Sequence, residues 1–242
     1  MRRQLRDVIR FAFRRVGYDV VRYGPDTMGR VVSLLSARHV DTVLDVGANR
    51  GQYYQKLRTA GFRGAIVSFE PNPDAYAQLH LVASRDSRWR GVSAALGREA
   101  RSAHLNVTRN SEFSSFYSPK QGAELVDGGI AAIEVKTVSM RPLASMWEEL
   151  GLGRSRAFLK LDVQGFELEV LQGVGQHLRQ LTGIQLEVAL EPLYEQQPTL
   201  CEVLPYLLTH GFAVYGILEG MRDQARGALI ELDLVLFNRD SL

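Results

Sequence analysis

One ten-residue stretch, Thr42-Val43-Leu44-Asp45-Val46-Gly47-Ala48-Asn49-Arg50-Gly51, constrains this chain more than any other. Three β-favouring apolar residues flank an acid and run into a loop bracketed by glycines. Behind it, Gln52–Leu57 reads as the start of a helix. A strand that stops at glycine and re-enters as a helix exposes backbone N–H groups at the helix N-terminus. No side chain there holds a ligand away. Open α/β sheets take nucleotide-like ligands at this carboxyl edge.

The second part of the signal lies 25 positions beyond Asp45, where the apolar strand Ala65-Ile66-Val67-Ser68-Phe69 ends in Glu70-Pro71. An acid at that tip is placed to accept hydrogen bonds from both hydroxyls of a ribose. The loop is G-x-x-x-G, whereas a pyrophosphate needs the closer glycine pair of G-x-G-x-x-G. Asp45 just before the first glycine suits a cationic or hydrogen-bond-donating ligand, such as the amino end of S-adenosylmethionine. The expected cofactor contacts are therefore Asp45, Gly47, Asn49, Gly51, Glu70 and Pro71. The plainer reading is a strand–turn–helix that uses its glycines for the turn alone.

No Pro/Gly/Ser-rich linker or composition break divides the 242 residues. The chain reads as an N-terminal helical extension (1–38) packed on one domain (39–242). Hydrophobic residues at 45% and charged residues at 23% fit a globular core, and no apolar run approaches the ~20 residues that span a bilayer. The basic start is broken by Arg6, Asp7, Arg10, Arg14 and Arg15, which is no signal-peptide core, so a cytoplasmic protein is expected. A single cysteine, Cys201, excludes an internal disulfide and a Cys-based zinc site; it reads as filler of a helix core. Residues 1–23 hold seven arginines against Asp7 and Asp19, net +5, so the rest carries −3 of the total +2. A mildly acidic body suits no long polyanion, and no nucleic-acid partner is expected. Leu5, Val8, Ile9, Ala12, Phe13 and Val16 give residues 3–16 an amphipathic helical pattern with an arginine stripe beside it. Such a helix either lies on an anionic membrane face or packs on the domain edge.

Further along, Gly17–Tyr23 reads as extended and Asp26–Arg38 as a helix, and Asp74 is set to cap a helix through Leu81 or Val82. Gly91–Leu96 reads as a third strand whose small residues Ala94 and Ala95 would border an adenine ring. The alternation then changes. Ser102–Val107 and Ile130–Val138 are strand-like, and Arg109–Gly129 between them is polar and serine-rich, giving an inserted lid or substrate loop over about 103–138. In it Ser114, Ser115 and Phe116, with Phe113 and Tyr117, mix hydroxyls and aromatics as a sugar face requires, or as a loop pinned to its own domain would. Pro142–Leu150 reads as a helix, Ala157–Leu161 as the fourth strand, and Gly183–Pro192 as the fifth. A helix around Leu200–Leu208 precedes Phe212–Leu218 and Leu229–Phe237, expected to close the sheet as an antiparallel hairpin.

Taken together, these stretches resemble the FkbM family of S-adenosylmethionine-dependent methyltransferases over about residues 40–238. The resemblance rests on Val43–Gly51, Val67-Ser68-Phe69-Glu70-Pro71, Ala95-Leu96-Gly97, Ser114-Ser115, Leu159-Lys160-Leu161-Asp162-Val163-Gln164-Gly165-Phe166-Glu167 with Val170-Leu171 and Gly173, Glu187, and Asp233–Phe237. Gln164 departs from the pattern, since many members carry glutamate there. The resemblance implies a Rossmann-like class I methyltransferase. Its sheet would be seven-stranded and mostly parallel, with an antiparallel last hairpin and helices on both faces. It also implies a methyl donor and acceptor hydroxyls on sugars, polyketides or lipid-linked glycans.

Methyl transfer to an alcohol requires alignment and removal of one proton. Asp162, at the tip of the fourth strand and able to face the cofactor, is the first choice as base. Glu187 and Glu191 come next, and Glu167 lies one helix turn on as an acceptor contact. Lys160 alternates onto the same side as Asp162 and would hold it ionised, unless Asp162 only caps the next helix. A divalent cation is disfavoured, because Asp162 and Glu187 supply only two carboxylates and the five histidines are scattered. His104 and His210 are further base candidates or packing residues. Rival readings are a nicotinamide-dependent dehydrogenase and a non-catalytic module that binds an adenosine cofactor.

Overall fold

The computed structural model describes residues 27–123 and 128–241. The helix expected at 3–16, the extended piece at 17–23 and residues 124–127 of the polar loop lie outside the described residues. Helix α1 (Thr27–Ala37) leads into β1 (Thr42–Val46), α2 (Gln52–Thr59) and β2 (Ala65–Phe69). Then come α3 (Pro73–Ala83), β3 (Trp89–Val92), β4 (Ala95–Leu96), β5 (Arg101–Thr108) and β6 (Ala132–Arg141). The remainder is β7 (Ala157–Leu161), α4 (Glu167–Val174), β8 (Gly183–Ala189), α5 (Leu200–Thr209), β9 (Phe212–Glu219) and β10 (Glu231–Asn238).

Among the described residues one seven-stranded sheet runs β3-β2-β1-β7-β8-β10-β9. The first five strands pair in parallel, and β10 is antiparallel to both β8 and β9, the closing hairpin the sequence predicts. Period-two alternation sorts the strands onto two cores. Leu44, Val46, Leu159, Leu161, Ile184 and Leu186 face α4 and α5, while Val43, Ile66, Phe158, Val235 and Phe237 face α1, α2 and α3. Helices therefore cover both faces, as a buried parallel sheet demands.

Four local expectations are corrected. The third strand breaks at Ser93: β3 stays in the main sheet, and β4 pairs with β6 in a second sheet of order β4-β6-β5. The stretch 142–150 forms only a 3-10 turn at Leu143–Met146, with Leu143, Met146 and Trp147 buried by that turn. The cap of α3 is Asn72, whose side chain accepts from the Asp74 amide, so Asp74 lies inside the first turn and pairs with Lys136. Cys201, on the solvent side of α5, is exposed and fills no core.

α4 packs closely on the end of β4, because Gly173 has no side chain to hold it off. A Cβ there would stand 2.0 Å from the carbonyl oxygen of Gly97. Gly173→Ala is expected to lower stability by about 2 kcal/mol, the cost of forcing backbone apart in a packed core. Urea unfolding checks this, and an unchanged midpoint would show that the contact relaxes freely.

Candidate functional site

A cavity of about 640 Å³ opens over the carboxyl ends of β1, β2, β7 and β8. Its first wall is the loop after β1. Gly47, Asn49 and Gly51 all take positive φ (74°, 46° and 91°), so the glycines are needed for the backbone path. Gly47 is needed twice, since a Cβ on it would fall 1.9 Å from the carbonyl oxygen of Asp162. The sequence predicts free N–H groups here, and the structure corrects that. Gly47 and Ala48 both donate to the Phe69 carbonyl, Asn49 to Glu70, Arg50 to Gln52, and Gly51 to Ala48. No backbone N–H of this loop is left for a phosphate.

Glu70 stands at the tip of β2, 6% exposed and lining the cavity. Oε2 accepts from the Asn49 amide and Oε1 from the Asn72 amide, each at 2.8 Å. Burial pushes its pKa up to about 7, against the pull of those two N–H groups. Pro71, Ala94, Ala95 and Leu96 continue this wall.

Asp45 lies elsewhere than expected. It is fully buried, does not line the cavity, and sits 3.2 Å from Lys160 Nζ. Lys160 also stands 3.4 Å from Asp162 Oδ2, so one ammonium bridges a core carboxylate and a cavity carboxylate. Burial opposes the charge on Lys160, but Asp45 and Asp162 outweigh it and raise its pKa above the ordinary lysine value. Asp162 does not cap α4, whose first flanking residue is Phe166. It lies past the end of β7 with its side chain 43% exposed.

Around Asp162 the cavity is acidic. Gln164, in a left-handed conformation (φ 53°), donates through Nε2 to Asp162 Oδ1 at 3.1 Å and to Glu187 Oε2 at 2.8 Å. Its Oε1 meets the Tyr194 hydroxyl at 3.0 Å, which fixes the amide orientation. Burial and the neighbouring Asp162 raise Glu187 well above the carboxylate range. Four other expected residues stand outside the cavity, the first of them Gly51 at the head of α2. Glu191 is exposed and ion-paired with Arg226, Glu167 is buried and accepts from the Val163 and Gly165 amides, and Ser115 is buried and donates to the Gln164 carbonyl. The latter two brace the turn that carries Asp162 and Gln164. His104 is exposed and bonded to Thr137, and His210 is bonded to the Tyr206 carbonyl.

The insert closes the cavity from above. Ser111 donates to Asn49 Oδ1, Gln52 to Glu112, and the Tyr194 hydroxyl to the Phe113 carbonyl, while Ser114 and Phe116 line the cavity. Sequence reasoning missed Gln52, Tyr53 and Lys56 on α2, Gln185 on β8, and Glu231 and Asp233 on β10, all of which line it. The signal for the strand residues was there: polar side chains at alternate positions of otherwise apolar strands. Among the described residues no group of three or more metal-ligating side chains has the geometry to hold an ion, and no helix is long and apolar enough to cross a membrane.

The cavity stands at the carboxyl strand edge, with a buried acid at the second strand tip, where open α/β sheets take nucleotide-like ligands. The chain belongs to the FkbM methyltransferase family, whose domain model matches residues 45–214. No curated protein sequence is similar enough to match this chain. Magnesium protoporphyrin IX methyltransferase from Synechocystis PCC 6803, crystallised with bound SAM, is similar in structure at 13% identity and a TM-score of 0.48, over 97% of this chain and 95% of that one. A putative S-adenosylmethionine-dependent methyltransferase from Listeria monocytogenes is similar at 9% identity and 0.47, over 88% and 98%. A fibrillarin from Aeropyrum pernix with natively bound S-adenosyl-L-methionine is similar at 12% and 0.45, this chain covering 81% of itself and 66% of that one.

Removing one partner of a buried ion pair leaves the other charge uncompensated, at a cost of about 3–5 kcal/mol. Lys160→Met is expected to destabilise by that amount and Lys160→Met with Asp45→Leu by clearly less, in a denaturant-based double-mutant cycle. Additive losses would break the pairing. A second expectation concerns pH. Burial raises Glu70 and Glu231 from about 4.5 to about 7 in the folded protein. Between those values the folded form holds protons that the unfolded form has lost, so their contribution to stability is present in acid and lost as pH rises to 7. The melting temperature of the ligand-free Glu231→Gln variant should therefore fall less between about pH 5 and 7.5 than that of the parent chain.

Proposed function

We propose that this chain is an S-adenosylmethionine-dependent O-methyltransferase acting on a hydroxyl of a sugar, glycolipid or polyketide-type small molecule. The observation that carries the reading is Glu70, a buried acid locked by two backbone N–H groups at the cavity wall, beside a loop with no N–H free for a pyrophosphate. Each Glu70 oxygen keeps a second lone-pair direction for a ribose hydroxyl. The residues fit the donor in two further ways. Asn49 Nδ2 lines the cavity with no hydrogen-bond partner among the described residues, and Ala94, Ala95 and Leu96 give small, apolar surface for an adenine. Family membership supports the same reading. The sealed loop and the absence of G-x-G-x-x-G speak against the dehydrogenase alternative.

When bound, S-adenosylmethionine supplies a methyl group already activated on a sulfonium. What the chain adds is position and a place for one proton. Asp162 accepts the proton of the acceptor hydroxyl. Lys160 and Gln164, on opposite oxygens of its carboxylate, fix the direction of its free lone pairs. Glu187, held by the same Gln164 amide, borders the acceptor, and Ser114 and Phe116 of the insert cover it and limit water. Asp45 supports this arrangement from below through Lys160 rather than by touching the donor.

Two variants test the assignment together. Glu70→Ala is expected to weaken S-adenosylhomocysteine binding by about tenfold or more in calorimetry, the loss of two ribose hydrogen bonds. Asp162→Asn is expected to leave that affinity within about threefold while lowering transfer of labelled methyl to neutral sugars and glycolipids by about 100-fold. Unchanged affinity in the first would remove the ribose role. Full turnover in the second would remove the base.

A further inference from the structure

One end of the cavity gathers more carboxyl groups than a neutral acceptor calls for. Glu187 on β8 and Asp233 on β10 are direct cross-strand partners, and Glu231 stands two residues before Asp233 on the same face. Like charges set opposite each other on a sheet oppose folding. Neutral amides accompany all three. Gln164 donates to Glu187, Gln197 stands beside Glu231, and Gln185 stands beside Asp233. The amides are held in place because their Oε1 atoms are occupied: by the Tyr194 hydroxyl for Gln164, by the Leu193 and Tyr194 N–H groups for Gln197, and by the Tyr53 hydroxyl for Gln185.

Two lysines lie near this end and both favour the charge on Asp233, but neither reaches the cluster by an ion pair among the described residues. Lys160 is committed to Asp45 and Asp162, and Lys56, the other lysine lining the cavity, is exposed. Glu231 is only 2% exposed, lines the cavity, and has an Oε1 with no hydrogen-bond partner among the described residues. Burial and the neighbouring acids push Glu231 up to about 7 and raise Glu187 and Asp233 in the same direction. Charging these carboxyls is opposed in the free protein, and an opposite charge brought in with the ligand relieves that opposition.

We infer that Glu187, Glu231 and Asp233 receive a primary ammonium group of the acceptor, so that the molecule methylated is an amino-bearing polyol such as an amino sugar. This rests on the reading of the cavity as a donor site beside an acceptor site. The carboxylates take the ammonium while Asp162, one strand away, serves the hydroxyl. A neutral polyol would supply no cation to these carboxyls, and an anionic sugar would oppose their charging further.

The full chain is titrated calorimetrically in EDTA with glucosamine, glucose, N-acetylglucosamine and glucuronate, with and without saturating S-adenosylhomocysteine. Glucosamine is expected to bind at least about tenfold more tightly than the two neutral sugars, and glucuronate least. Glu231→Gln and Asp233→Asn should each erase that preference while S-adenosylhomocysteine affinity stays within about twofold. Two variants guard against one that fails to fold. Equal binding of glucose and glucosamine, or no binding of glucosamine, overturns the inference. So does a loss of S-adenosylhomocysteine affinity in either variant, which would assign the cluster to the donor's own amino group. Binding of glucosamine without any binding of S-adenosylhomocysteine would keep the ammonium site but sink the methyl-donor reading, and with it the claim that the bound amine is methylated.

Discussion

The rest of the structure depends on one buried ion pair, Lys160 with Asp45. The two residues are direct partners across β7 and β1, and they belong to a polar row that crosses the middle of the sheet. Ser68 stands beside Asp45 on β2, Gln185 stands beside Lys160 on β8, and the Trp89 indole and the Tyr53 hydroxyl close the two ends. A parallel sheet covered on both faces normally reads as apolar on both. Polar groups in its centre cost free energy unless they meet partners. Strand pairing sets each residue's neighbour and α2 supplies the last hydroxyl, while Asp45, with no hydrogen bond to either oxygen among the described residues, relies on the charge of Lys160. Because the Lys160 ammonium also reaches Asp162, the core and the cavity share a single cation.

That sharing ties the cavity wall to the core before any ligand arrives. The loop after β1 has spent its N–H groups on the neighbouring strand tip and on its own turn, which leaves a carboxylate and a side-chain amide as its polar offerings. A phosphate finds no free backbone N–H there, and Asp45 meets the cavity only by way of Lys160. The aspartate's place in the sequence, just ahead of the glycine, marks the base of the site and not its surface.

The strand tips were legible because they obey simple local rules. Val43 to Gly51 and Ala65 to Pro71 carry both the alternation and the punctuation that locate them, and β7 with Asp162 follows suit. Misreadings came where tertiary pairing overrode local pattern. Ser93 lets a strand of apparent length six divide between two sheets, and Leu143–Met146 keeps helical spacing for only one 3-10 turn. Glu231 and Asp233 escaped notice because β10 runs antiparallel, so that its first residues, not its last, reach the cavity edge. Glu191 misled for the converse reason. It follows β8 beyond the sheet and turns outward to Arg226.

The insert and the short link between β9 and β10 form one side of the cavity, and the central strand tips form the other. Connecting segments accept insertions and replacements that strands do not. Exchanges within Ser111 to Phe116, or within the stretch from Met221 to Ile230, would therefore reshape one wall of the cavity while the register of the central strands, and the acids it brings together, stays unaltered.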